Sequence, residues 1–314
     1  RLQAFSKDPV GHALLVAVVG NSLYLAQIML KDLKFLQDVS LAGLQASLDV
    51  VLNTIKSDQA AAQPEVARMA SLRIARRRIA LITGLADIAG VWPVARITGT
   101  LSAFADAAVE AAVHGLIAGA VQTGELSPED AANHGLVVLA VGKLGARDLN
   151  YSSDIDIIVL WDQEKTAALP DPNALFVRLT RRLVMVLEKR TADGYVFRTD
   201  LRLRPDPSSS PMAISMVAAE TYYESVGQNW ERAALIKARP IAGDLASGQE
   251  FLDRIAPFIW RKHLDYASID DIHSIKRQIH SHKGHATIAV GGHNVKLGAG
   301  GIREIEFFAQ TQQL

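Results

Sequence analysis

The sequence of 314 residues contains no cysteine. This absence excludes disulfide bonds and thiolate metal sites, and it suits a reducing compartment, so we expect a cytoplasmic protein. Aromatic residues are also scarce, at 6% of the chain, although 49% of the residues are hydrophobic. Because Ala, Leu, Ile and Val supply most of that apolar content, the composition favours extensive helix.

An excess of charge of either sign is also missing, since 33 lysines and arginines balance 33 aspartates and glutamates. Overall electrostatics therefore gives no reason to expect nucleic acid or a membrane surface as a partner. Residues 10–30 are largely apolar, but polar residues such as Asn21 and Ser22 interrupt them. This pattern is typical of one helix ending and another beginning, so we predict two buried helices here, with neither a membrane anchor nor a signal peptide.

The periodicity of the sequence changes twice along the chain. Residues 1–124 have helical spacing, residues 125–245 interleave strands with helices, and residues 246–314 return to helix with a glycine-interrupted stretch at 280–301. We therefore predict a predominantly helical protein in which a core domain of the α/β or α+β class is flanked by two helical regions. The last helical segment has no C-terminal cap, so we expect the chain to be part of a longer protein.

Three strands are predicted in the core, at residues 136–141, 155–161 and 195–204, the last ended by Pro205. Ser127 followed by Pro128 is typical of a helix start. Further helices are predicted at residues 174–188, 217–225, 229–237, 245–280 and 302–314.

Two aspartates lie at the start of the second predicted strand. Side chains alternate between the two faces of a strand, so Asp154 and Asp156 point the same way. Two carboxylates about 4 Å apart repel each other by roughly 4 kcal/mol at an effective dielectric constant of about 20, which favours a cation between them. Mg²⁺ prefers carboxylate oxygens and substrate phosphates. The pair therefore predicts metal-assisted nucleotidyl or phosphoryl transfer.

The third predicted strand adds a further acidic residue and several arginines. By the same alternation Arg198, Asp200, Arg202 and Arg204 share one face. Asp200 is a natural third metal ligand. The arginines could neutralise a phosphoryl group, because the guanidinium fork matches phosphate oxygens, or they could form salt bridges at a sheet edge.

A glycine turn precedes the acidic strand. Gly142 and Gly145 could present backbone N–H groups to phosphate. Lys143, inside the turn, either adds positive charge to the site or is merely solvated. Ser153 either donates to a phosphate or caps the entry to the strand.

Four segments of the chain resemble the glutamine synthetase adenylyltransferase family, within the nucleotidyltransferase superfamily that includes DNA polymerase beta. These segments are residues 142–156, 197–205, 230–232 together with 237–239, and 296–307. One departure is Ala146, where the family usually has a second glycine. The third-strand motif and the last motif are similar to those of the first, adenylyl-removing half of the family's enzymes.

The resemblance implies a polymerase beta-like core with a small mixed sheet, and a reaction in which inorganic phosphate attacks adenylyl-tyrosine of glutamine synthetase and releases ADP. It also implies Mg²⁺ on Asp154, Asp156 and Asp200, and the PII signalling protein as a second partner. Basic candidates for binding phosphate or adenylate are Arg202, Arg204, Lys237 and Arg239. Alternatively, these basic residues form ion pairs with Glu231, Glu304 and Glu306.

Other interpretations remain open from the sequence. The same carboxylates would serve the forward reaction, transfer of AMP from ATP. The chain could instead be a regulatory module without catalysis that binds glutamine synthetase or the PII protein. His280, His282 and His285 invite a zinc site, although their spacing is irregular and cysteine is absent. The run from Arg76 to Arg78 could grip phosphate or form an ion-paired helix face.

Overall fold

The computed structural model describes residues 2–57, 63–260, 292–296, 298 and 300–313. The first part of this fold is entirely helical, as predicted. Its helices are α1 (Leu2–Lys7), α2 (Pro9–Asn21), α3 (Leu23–Lys31), α4 (Leu33–Ala42), α5 (Leu44–Lys56), α6 (Glu65–Ile88) and α7 (Val94–Gln122).

The predicted break between two helices near residue 21 is confirmed, but the prediction that both helices are buried is wrong for α2. Ser22 ends α2 and caps α3 by accepting a hydrogen bond from the Leu25 N–H at 3.2 Å. In α2 the side chains of Val10, Val16 and Val19 are more than half exposed. The side chains of α2 are apolar on every face of the helix, so the sequence pattern could not show that most of this helix is exposed.

Helix α7 is long and apolar enough to cross a membrane by length and composition alone. However, 67% of its most apolar 18-residue window is buried in the fold. A core helix of a folded domain meets the same criterion, and α7 lies against α6, α5 and the sheet in that way.

The sheet has five strands, β1 (Leu136–Ala140), β2 (Ile155–Trp161), β3 (Thr199–Asp200), β4 (Ala213–Ser215) and β5 (Arg239–Gly243). The strand order is β3-β2-β1-β5, and β4 also pairs with β2. β1 is antiparallel to both β2 and β5, whereas β3 and β4 are parallel to β2. The predicted mixed sheet is therefore confirmed, and its first two strands lie where the sequence placed them.

The prediction of a third strand from residue 195 to residue 204 is wrong in extent, because β3 contains only Thr199 and Asp200. Beyond it the Arg202 N–H donates to Oδ1 of Asp200 at 2.8 Å, which turns the chain away from the sheet. Arg202 and Arg204 therefore do not continue the face that Asp200 occupies in the strand.

Eight helices in the described part of the chain accompany or follow the sheet. They are α8 (Pro128–Ala132), α9 (Gly142–Gly145), α10 (Pro172–Glu188), α11 (Met216–Ser225), α12 (Asn229–Leu235), α13 (Leu245–Arg254), α14 (Ala256–Ile259) and α15 (Ile302–Gln313). The predicted cap at Ser127 is confirmed, since its hydroxyl accepts from the Asp130 N–H at 3.0 Å. The helix predicted at 245–280 is interrupted at Ile255, and its part after residue 260 lies outside the described residues.

Apolar side chains cover both faces of the sheet. Ile155, Ile157 and Val159 of β2 belong to a large core shared with the N-terminal helices. Ile158 and Leu160 point to the opposite face, into a smaller core shared with α11, α13 and α14. The large core runs across residue 124, where the sequence predicts a domain boundary.

Two arginines of α6 fasten the helical region to the core, and a third pairs within the helical region. Arg73 is fully buried and donates to four backbone carbonyls, three of them in residues 186–194. Arg77 pairs with Asp193 at 2.9 Å, and Arg78 pairs with Asp32 at 2.8 Å. In the run from Arg76 to Arg78, two arginines are therefore ion-paired, whereas Arg76 donates to the Tyr151 carbonyl.

His134, at the entry to β1, gives the fold a dependence on pH. Its Nδ1 accepts from the Leu136 N–H at 2.9 Å, which requires an unprotonated nitrogen, and burial lowers the pKa of His134. Below about pH 6.5 the unfolded state therefore binds a proton that the folded state does not, so the free energy of unfolding falls as the pH falls.

We expect His134→Asn to flatten this dependence, because an asparagine carbonyl can accept the same hydrogen bond without titrating. The removed slope is at most about 1.4 kcal/mol per pH unit, the limit for one proton. The measurement is urea unfolding between pH 5.5 and 7.5, with the exposed His114→Asn as control. If the free energy of unfolding varied with pH equally in the wild type and in His134→Asn, His134 would not be the source of the pH dependence.

Candidate active site

The three predicted metal ligands lie together at one end of the sheet. Asp156 in β2 is the register partner of Asp200 in the parallel strand β3. In-register residues on neighbouring strands lie about 4.8 Å apart and point to the same face. Asp154 is exposed and lies two residues before Asp156, just ahead of β2. The fold therefore places Asp154, Asp156 and Asp200 at the same end of the sheet.

The glycine turn forms one turn of helix, α9, directly beside these carboxylates. Gly142 has a φ of 58°, and a Cβ atom there would lie 2.7 Å from Oδ2 of Asp156. At Gly145 a Cβ atom would clash with the backbone carbonyl of Lys237. Both positions therefore require glycine, because Asp156 and the Lys237 carbonyl leave no room for a Cβ atom. The first backbone N–H groups of α9 have no hydrogen-bond partner within the helix.

Arg202 supplies positive charge to the acidic cluster. Its Nε lies 3.0 Å from each carboxylate oxygen of Asp200, and its Nη2 lies 2.5 Å from Oδ2. This hydrogen bonding lowers the pKa of Asp200. It also raises the pKa of Arg202, with smaller contributions from Asp154 and Asp156. The repulsion between neighbouring carboxylates favours a cation beside them. In this structure that cation is the guanidinium of Arg202, which interacts with all three carboxylates.

The loop that leads into Asp154 is held by two arginines that the sequence offered as phosphate-binding candidates, and by Asp87, which it did not connect with the site. Arg76 donates to the Tyr151 carbonyl at 2.5 Å, and Arg198 donates to the Ser152 carbonyl at 2.7 Å. The Tyr151 hydroxyl donates to Asp87 at 2.9 Å. Burial raises the pKa of Tyr151, and the hydrogen bond to Asp87 raises it further. Helix α6 thus positions the acidic strand, a role that only the packed structure reveals.

Two of the predicted phosphate-binding arginines are occupied by the protein itself. Arg204 donates to four backbone carbonyls of its own loop, at distances of 2.9 to 3.1 Å. Arg239 forms a two-pronged pair with Asp106 at 2.9 Å and donates to the carbonyls of Leu144 and Gly145. In this state both arginines brace the backbone around the site.

The remaining predicted residues line the exposed side of the site region. Lys143 and Lys237 are exposed, and Ser153 is half-buried. The Ser153 N–H donates to the Asn150 carbonyl at 3.2 Å, so the residue forms part of the turn before β2. A phosphate-binding role for these three residues stays a prediction.

The alternative partners named for the basic residues are wrong for Arg202 and Arg239. Arg202 pairs with Asp200, and Arg239 pairs with Asp106. Glu231 is buried and accepts hydrogen bonds from the Gln228 N–H and the Tyr222 hydroxyl, and burial raises its pKa. In the glycine-rich segment Glu304 accepts from the Gly300 N–H at 2.5 Å.

The donor atoms of the acidic cluster fit a hard cation, since all three side chains are carboxylates. Their present arrangement is not a finished metal site. Among the described residues no group of three or more potential ligands is gathered closely enough to hold a metal ion, and Arg202 occupies the Asp200 carboxylate. Because Arg202 is exposed, it can leave Asp200 without disturbing the core. The histidines considered for zinc, at positions 280, 282 and 285, lie outside the described residues.

Comparison with known proteins identifies the family. The model of the glutamate-ammonia ligase adenylyltransferase family matches residues 12–254, which is more than half of the chain. A second model, described as PII-uridylyltransferase, matches residues 273–314.

Several curated relatives carry the name bifunctional glutamine synthetase adenylyltransferase/adenylyl-removing enzyme. The protein from Rhizobium meliloti is 57% identical over 81% of this chain and 26% of its own length. The proteins from Brucella suis and Bradyrhizobium diazoefficiens are 50% and 47% identical, over 96% and 100% of this chain and 31% and 32% of their own lengths. The chain thus spans about a quarter to a third of these relatives. It belongs to the glutamate-ammonia ligase adenylyltransferase family, with a nucleotidyltransferase core.

Proposed function

We propose that this chain removes AMP from adenylyl-tyrosine of glutamine synthetase by metal-dependent phosphorolysis, releasing ADP and the free tyrosine. The observation that carries the proposal is the pairing of Asp156 with Asp200 on adjacent parallel strands, with Gly142 in contact range of Asp156. Relatives named for both adenylylation and adenylyl removal support the substrate. The motif resemblance to the adenylyl-removing half favours removal over attachment.

Asp154, Asp156 and Asp200 would hold Mg²⁺. Bound there, the metal would neutralise charge on the attacking and leaving oxygens. In the reaction a phosphate oxygen forms a new bond to the adenylyl phosphorus while the bond from phosphorus to the tyrosine oxygen breaks, so the products are ADP and tyrosine.

The other residues of the site would bind and orient the phosphates. The backbone N–H groups at the start of α9 lie beside the acidic strand, where Lys143 and Lys237 are exposed. Arg202, once released from Asp200, has a free guanidinium fork for a phosphate. Ser153 lies next to Asp154 and can donate its hydroxyl to the same group. Arg204 and Arg239 would act through the backbone that they brace.

If a metal ion replaces Arg202 beside Asp200, removing Arg202 should raise the affinity of the site for the metal. We expect Arg202→Gln to bind Mn²⁺ about two- to fivefold more tightly than the wild type, because an exposed ion pair no longer competes for Asp200. The same variant is expected to turn over more slowly, since it lacks a phosphate-binding group. Titration followed by electron paramagnetic resonance measures the affinity.

The control for this prediction is Arg181→Gln, which removes an exposed arginine from α10 outside the site. Its Mn²⁺ affinity should equal that of the wild type. An unchanged affinity in Arg202→Gln would show that the ion pair does not compete with the metal.

The direction of the reaction is tested by supplying each set of substrates separately. Adenylylated glutamine synthetase, phosphate and Mg²⁺ should give ADP, and unmodified synthetase with ATP should remain unmodified. Incorporation of AMP from ATP would instead establish adenylylation as the function. A folded protein without either activity would favour a regulatory module.

We also propose the PII signalling protein as a partner and the cytoplasm as the location. The match of residues 273–314 to a PII-uridylyltransferase model supports a connection with PII. The absence of cysteine fits a reducing compartment.

A further inference from the structure

A cavity lies away from the acidic cluster, between the start of α6, the C-terminal half of α7 and α10. Its volume is about 300 Å³. Five charged side chains line it, namely Glu65, Arg68, Glu125, Arg178 and Arg182. Asp106, which braces the glycine turn, lies nine residues before Gly115, the first cavity residue of the same helix, and nine residues of helix span about 14 Å. The cavity is therefore separate from the proposed nucleotidyl site.

Arg68 is the most unusual residue in this lining, because only 4% of it is exposed. Its guanidinium lies against Gly115, where any Cβ atom would clash with it. One nitrogen donates to the Gln63 carbonyl at 3.1 Å. Nε is buried without a hydrogen-bond partner among the residues that the structure describes, and none of those residues places a carboxylate within 4 Å of the guanidinium. Burial lowers the pKa of Arg68.

The other charges of the cavity are already paired with one another. Arg182 pairs with Glu65 at 2.9 Å, and Arg178 pairs with Glu125 at 2.7 Å. Three positive charges thus face two negative charges, and the excess positive charge belongs to Arg68. A buried cation with an unused donor is strongly unfavourable unless an anion completes it.

We propose that this cavity binds a small organic monocarboxylate whose carboxylate pairs with the guanidinium of Arg68, because both glutamates of the lining are already paired with other arginines. The net charge of the lining matches a single negative charge, whereas the two glutamates oppose a doubly charged phosphate. Leu116, Ala120 and Leu179 supply apolar wall for a short carbon chain. The guanidinium fork is the side-chain group best suited to a planar carboxylate.

The test follows the thermal unfolding midpoint of the chain during titration with sodium butyrate, with sodium chloride holding the ionic strength constant. A ligand that binds only the folded state raises this midpoint in a saturable way. We expect such a rise with butyrate and none with phosphate in the same concentration range. Arg68→Met should abolish the rise.

Two exposed variants keep the test valid if Arg68→Met does not fold. Arg182→Gln removes one positive charge and releases Glu65, so butyrate should bind about tenfold more weakly. Glu125→Gln removes a negative charge and should strengthen binding several-fold. Arg181→Gln, on the same helix but outside the cavity, should leave the affinity unchanged.

Three results would overturn the proposal. They are the absence of a saturable rise with butyrate, a rise with phosphate alone, and a butyrate affinity that neither Arg182→Gln nor Glu125→Gln alters.

Discussion

Asp156→Asn is expected to reduce ADP formation from adenylylated glutamine synthetase by at least about a thousandfold. Asp156 is the central carboxylate of the acidic cluster, because it lies in register with Asp200 and two residues from Asp154. Losing its charge weakens metal binding and removes the charge stabilisation that a metal supplies, and about 4 kcal/mol of lost stabilisation corresponds to a thousandfold in rate. The measurement is a coupled assay of ADP release at saturating phosphate and Mg²⁺.

The matched control is Asp148→Asn, which neutralises an exposed aspartate in the loop between α9 and β2. Its rate should stay within a factor of two to three of the wild type. Because asparagine has almost the shape of aspartate, Asp156→Asn should unfold at the wild-type urea concentration or above it. If Asp156→Asn retained a tenth or more of the wild-type rate, the acidic cluster would not be the catalytic centre.

Arg73→Met is expected to lower the free energy of unfolding by about 3 to 5 kcal/mol. Arg73 is fully buried, and its nitrogens lie 2.5 to 3.0 Å from the carbonyl oxygens of Met69, Val186, Lys189 and Gly194. Methionine fills much of the same space but removes all four hydrogen bonds, of which those to Met69 and Val186 are fully buried. Since Val186 lies in the last turn of α10 and Lys189 and Gly194 lie in the segment that leads from α10 to β3, the change should also loosen the position of Asp200.

Arg77→Met provides the comparison, because Arg77 lies on the same helix as Arg73 and also contacts the segment between α10 and β3. Arg77 donates to Asp193 at a partly exposed position, so its loss should cost about 1 kcal/mol or less. Urea unfolding of both variants measures the difference. Equal losses of stability would show that burial of Arg73 does not determine its contribution.

The acidic strand could be predicted from the sequence because two local signals agree there. A run of β-branched residues gives β2, and the alternation of faces places Asp154 and Asp156 together. The glycine turn was also predictable, since Gly142 needs a positive φ and a close approach to Asp156. These features depend on residues close in sequence.

The partners of the arginines could not be predicted because they depend on residues far apart in sequence. Arg239 pairs with Asp106, which lies 133 positions earlier, and Arg73 binds carbonyls more than 100 positions later. The end of β3 was missed because alternation continues in the sequence after Asp200, while the backbone turns there to pair Arg202 with Asp200. Arg68 gave no local signal, since its burial arises from packing against Gly115.

The most direct test of the proposed function follows the phosphate itself. The chain is incubated with adenylylated glutamine synthetase, Mg²⁺ and radioactively labelled inorganic phosphate, and the nucleotide products are separated. Phosphorolysis predicts ADP with all of the label in its β-phosphate, in an amount equal to the tyrosine released. Release of unlabelled AMP, or label that fails to enter ADP while AMP leaves the synthetase, would contradict phosphorolysis.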